Sequence, residues 1–63
     1  MIYLIRGKGT NKFVRTEIDS GGMDAFLVSR EQADWFHSRE SVDSFIARLK
    51  ERFPESEFEA VLK

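Results

Sequence analysis

Residues 38–54, SRESVDSFIARLKERFP, carry a single apolar stripe: counted from Val42, the residues Val42, Phe45, Ile46, Leu49 and Phe53 fall at offsets 0, +3, +4, +7 and +11. That spacing predicts an α-helix with one buried face. Ser38 is placed to cap its N-terminus, and Pro54 ends it by removing a backbone donor and pushing Phe53 towards extended geometry. A lone helix cannot bury its stripe against itself, so the flanking sequence must supply a sheet.

The flanks read accordingly. Met1 to Ile5 is a continuous apolar run suited to a strand in mid-sheet. Residues 13–19, FVRTEID, alternate so that Val14, Thr16 and Ile18 share one face and Phe13, Arg15 and Glu17 the other. Residues 23–28, MDAFLV, form a third candidate strand, and Phe58 to Leu62 a last one, which can pair beside the first. Ser29 resembles a second N-cap, with Gln32 as its capping-box partner and Val28 and Ala33 at staple positions, so a short helix is predicted from Arg30 to about Phe36. The expected fold is α+β over residues 1–63 as one small domain. It has a three- or four-stranded sheet in the order β-β-(β)-α-β, with the short helix preceding one amphipathic helix packed on one face.

Size and composition bound the rest. A chain of 63 residues leaves a thin stability margin, and with no cysteine it has neither a disulfide nor a thiolate ligand or nucleophile. Hydrophobic residues make up 41% and charged residues 33%, which favours a packed domain over a disordered one. No segment reaches the length of a membrane span, and MIYLIRG is too short for a secretory core, so a cytoplasmic location is expected. The charge is uneven: residues 1–16 contain Arg6, Lys8, Lys12 and Arg15 and no acid, although the net charge is −1.

Three patterns bear on chemistry. The stretch GKGT at residues 7–10 lacks the spacing of a phosphate loop and leads into a strand rather than a helix, so it reads as a hairpin turn. His37 is the sole histidine; with no cysteine available it has no imidazole or thiolate companion for a metal, and Ser38 and Ser41 are too close in sequence to meet it as nucleophile and base. Glu55, Glu57 and Glu59 lie two apart and read as a solvated strand face. No catalytic residue, metal site or cofactor is expected.

The sheet's second face is the candidate site. If Val14, Ile18, Leu27 or Met23, Phe58 and Leu62 face the helix, then Phe13, Arg15, Phe26, Val61 and half of IYLI, including Tyr3, face away. Such a mixed apolar and charged surface suits a protein partner or a second copy of the chain. On the predicted short helix Ala33 and Phe36 take the inner side and Trp35 is displaced from both, so it either anchors an interface or folds back to plug the core. Tyr3, Phe13, Arg15, Phe26 and Trp35 are the predicted protein interface. A nucleic-acid surface built on Arg6, Lys8, Lys12 and Arg15 is the alternative.

Residues 32–62, QADWFHSRESVDSFIARLKERFPESEFEAVL, resemble a pattern of short proteins from phages and prophages: Ala-x-x-Phe-x-Ser-x-Glu, an amphipathic helix, Pro, and a closing strand. Ala33, Phe36, Ser38, Glu40, Phe45, Ile46, Leu49 and Pro54 match it; Val42 stands where a small residue is usual. The resemblance implies an accessory protein in a host cytoplasm that binds and modulates a host protein or complex, for example as an inhibitor of a bacterial defence system. The pattern consists of capping and core positions, so it carries no functional residue across.

Overall fold

The most apolar strand lies in mid-sheet, as its composition requires. In the computed structural model, which describes residues 1–63, β1 (Tyr3–Gly7) is followed by β2 (Phe13–Asp19), β3 (Gly22–Val28), a single 3-10 turn (Arg30–Gln32), β4 (Trp35–Phe36), α1 (Arg39–Arg52) and β5 (Phe58–Leu62). All strand pairings are antiparallel. One edge of β1 pairs with β5 along its whole length, from Tyr3 opposite Leu62 to Gly7 opposite Phe58. The other edge is shared: Arg6 pairs with Phe13 of β2, whereas Tyr3 and Leu4 pair with Phe36 and Trp35 of β4.

The sheet therefore forks. Beyond Arg6, β2 leaves β1 and continues with β3 as a hairpin, in register from Phe13 opposite Val28 to Asp19 opposite Gly22. Asp34 fills the fork: its N–H donates to the Val14 carbonyl at 3.2 Å, and its carboxylate accepts from both the N–H and the hydroxyl of Thr16, each at 2.8 Å. This arrangement replaces the short helix that the capping signals at Ser29 predict. Ser29 makes no side-chain cap bond, and Ala33 is extended at φ −71°, ψ 150°. The backbone of residues 33–36 is needed as a partner for β1 and β2, and those long-range bonds outweigh a local capping preference.

α1 follows its sequence signals closely. The Ser38 hydroxyl accepts from the Ser41 N–H at 3.0 Å, and Lys50 and Arg52 lie in the last turn, where they favour the negative end of the helix dipole. Removing this cap in Ser38→Ala should cost about 1 kcal/mol. Thermal denaturation should show it as a fall of about 4–8 °C in Tm.

The helix stripe covers β1 and β5. Val42 and Leu49 are fully buried against Ile5 and Val14, with Tyr3, Phe36, Phe45, Ile46, Phe53 and Phe58 packed around them. A second, smaller cluster of Leu4, Phe13 and Ala33, flanked by Val28 and Val61, occupies the opposite side of the sheet. The helix covers the β2–β3 hairpin only in part: Met23 and Ala25 pack against the core and the Arg52 side chain lies near Gly22. The hairpin's end closes on an Asx turn, the Asp19 carboxylate accepting from the Gly21 N–H at 2.8 Å, and Gly22 takes a φ of 123° that other residues rarely adopt. Ile18 and Leu27 share the helix side by parity yet stay 66% and 59% exposed.

Candidate functional site

The helix-free face is built around the loop that the fork holds in place. Because Asp34 is anchored to β2, residues 29–34 fold over the start of the hairpin, and Ala33 seals Leu4 and Phe13. The Arg30 guanidinium then lies over the Phe13 ring at 5.6 Å from its centroid and donates to the Leu62 carbonyl at 3.4 Å. A cation stacked on an aromatic face and tied to a strand end gives a partly fixed positive charge.

The predicted interface residues separate into two groups. Arg15 and Phe26 are cross-strand partners on β2 and β3, with Phe26 47% exposed and Arg15 exposed beside it. Trp35, paired with Leu4 on the same face, is 52% exposed; the Lys63 ammonium lies 5.6 Å from its ring centroid, and the His37 ring meets it edge-on at 5.1 Å. Phe13 and Tyr3 do not contribute to this face. Phe13 is only 8% exposed because Ala33 and Arg30 cover it, and Tyr3 faces the helix, packed against the main core. The apolar run IYLI has no alternation, so its parity is set by pairing with β5 and β4 rather than by its own pattern.

The basic set is dispersed. Arg6 is bound to Glu59, with Nε at 2.9 Å and a terminal nitrogen at 2.7 Å from the same carboxylate oxygen. Lys8 and Lys12 are exposed at the β1–β2 turn, which Thr10 closes by donating its hydroxyl to the Gly7 carbonyl at 2.8 Å. Gly9 occupies that turn at φ 79°, so GKGT is a hairpin connection. Arg30 and Lys63 join Arg15 on the helix-free face; nothing in the sequence marks them, since their placement depends on the loop and on the pairing of the chain's last residues with Ile2.

Elsewhere the chemistry is sparse. The Ser38 hydroxyl is engaged as a cap and His37 packs on Trp35. No group of three or more His, Cys, Asp or Glu side chains is placed to hold a metal ion. A groove of about 270 Å³ opens on the helix side between the hairpin and the end of α1, lined by Gly7, Thr10, Val14, Leu27, Phe53 and Phe58. Its floor is apolar, and the Lys8 and Glu57 at its margin are its ionisable groups. No helix is long and apolar enough to cross a membrane. Comparison with protein families, with curated proteins and with solved structures finds no match.

Proposed function

We propose that this protein is a non-enzymatic binding module that acts by occupying a surface of a host protein or complex, with its helix-free face as the contact. The observation that carries the reading is the exposure of Phe26 and Trp35 on the face that also presents Arg15, Arg30 and Lys63. Aromatic and arginine side chains contribute disproportionately to binding energy at protein interfaces. Glu17 and Asp24 lie on the same face beside Arg15, so the face complements a partner that carries both signs of charge around an apolar centre. The setting implied by the sequence resemblance is a phage-type accessory protein, such as an inhibitor of a bacterial defence system.

The test is affinity capture from bacterial lysate after nuclease treatment, across a salt series, with the wild type and the Arg15→Ala/Phe26→Ala/Trp35→Ala variant as baits. A stoichiometric protein should be retained by the wild type at high salt. The variant should bind it at least about 100-fold more weakly, the effect of about 1 kcal/mol lost at each of the three positions. Equal capture by both baits contradicts the assignment of the face. Retention that vanishes with nuclease transfers the reading to nucleic acid held by Lys8, Lys12 and Arg15.

A further inference from the structure

We propose that the outer edge of β3 pairs with the same edge of a second copy of this chain, antiparallel and centred on Ala25, extending the sheet across a two-fold axis. This goes beyond the binding reading, which holds for a monomer as well.

The orientation of the edge follows from the fork. Val14 and Thr16 direct their backbone groups to Asp34, so the even-numbered residues of β2 point away from β3. The ladder is then made by Phe13, Arg15, Glu17 and Asp19 with Val28, Phe26, Asp24 and Gly22. Met23, Ala25 and Leu27 are left with their N–H and C=O groups directed outward. An antiparallel pairing centred on Ala25 sets Met23 opposite Leu27 of the second copy and Ala25 opposite its own counterpart, which uses every one of those outward groups.

Side chains complement themselves in the same register. On the helix side, Ile18, Met23, then Leu27 and Val14 of the second copy form one continuous apolar row, and Ile18 and Leu27 are the residues that the helix leaves uncovered. On the opposite side, Glu17 faces Asp24 within one hairpin, two like charges, and Arg15, next to them on that face, is ion-paired with neither: the molecule's two ion pairs are Arg6–Glu59 and Arg39–Asp43. Pairing at Ala25 orders the row as Glu17, Asp24, Phe26 of the second copy, then its Arg15. Two strand spacings, roughly 9.5 Å, separate Asp24 from that Arg15, a span an arginine covers by lying over Phe26.

The edge also lacks the devices that keep strands apart. Residues 23–28 contain no lysine, proline or bulge, and Asp24 is their one charge. The outer edge of β5 differs: Phe58 and Ala60 are half-buried and pack against the core under α1.

Sedimentation equilibrium at roughly 100 μM, where a dimer of micromolar Kd is nearly complete, should give twice the 7.3 kDa chain mass. Ala25→Pro removes an outward N–H that β2 does not use and should sediment as a folded monomer, while Ala60→Pro on the other edge should remain dimeric. Because proline can also disturb folding, a second pair of variants reads the register through charge. Arg15→Glu removes both copies of the Arg15–Asp24 contact that the two-fold axis creates and should raise the dimer Kd about tenfold, the combined scale of two exposed charge pairs, and Arg15→Glu combined with Asp24→Arg should restore it. A wild-type monomer at this concentration overturns the proposal and leaves the edge to a strand of a different protein. A dimer unaffected by Ala25→Pro and by Arg15→Glu places the second copy elsewhere and overturns it equally.

Discussion

Leu49→Ala leaves the protein largely unfolded. Leu49 is 0% exposed and joins Val42 to Ile5 and Val14, so it is the point at which the helix is fastened to both the central strand and the hairpin. Truncating a buried leucine costs about 2–5 kcal/mol, counting the cavity left behind. A domain of this length has about 3–9 kcal/mol to lose, at 0.05–0.15 kcal/mol per residue. With eight buried residues in all, no neighbouring core can take over the packing. Urea denaturation followed by far-ultraviolet circular dichroism should show a midpoint near or below zero denaturant for Leu49→Ala and a modest shift for Leu49→Met, which preserves volume. A midpoint for Leu49→Ala within the range of surface variants contradicts this packing.

Asp34→Ala should separate the hairpin from the rest of the sheet. The carboxylate serves the Thr16 N–H and hydroxyl together, and removing it leaves a backbone donor without a partner where β2 has already parted from β1. Hydrogen bonds to a charged group contribute about 1.5–3 kcal/mol, and the orphaned N–H adds to that loss. Asp34→Asn keeps an acceptor and should cost less. Hydrogen exchange reads the site itself: the Thr16 amide should lose protection in Asp34→Ala, while Glu31→Ala, an exposed neighbour, should stay within about 0.5 kcal/mol of the wild type. Unchanged protection at Thr16 contradicts the fork.

Those two residues also mark the boundary between what was legible in the sequence and what was not. Leu49, Ser38 and Pro54 declare the helix because their signals are local: a period, a cap and a missing donor. FVRTEID and MDAFLV declare the hairpin in the same way, through alternation on either side of a glycine turn, and the apolar first strand announces a place in mid-sheet between two neighbours. Asp34 announces nothing. Its partners lie on β2, and without them Ser29 and Gln32 offer a capping box whose helix the structure replaces with one 3-10 turn and a two-residue strand.

The candidate site divides along the same line. Arg15 and Phe26 were legible as a face because strand parity places them away from the helix stripe, whereas Trp35 reaches it through β4 rather than on the short helix that the sequence predicts. Phe13 has the right parity, but a loop folded by long-range bonds buries it. Tyr3 sits in a run without alternation, where both directions satisfy the pattern equally. Arg6 has the charge of a ligand-binding residue, and pairing β1 with β5 brings Glu59 to it. Arg30 and Lys63 come to the face through tertiary packing alone.

Contact through the helix-free face can be tested by photo-crosslinking in bacterial lysate, with a photoreactive phenylalanine analogue at Trp35 in one sample and at Glu51, on the solvent side of α1, in another. The binding reading predicts a single protein adduct from position 35 that is resistant to nuclease and is absent from position 51. Identical adducts from both positions, or none from position 35, would contradict it.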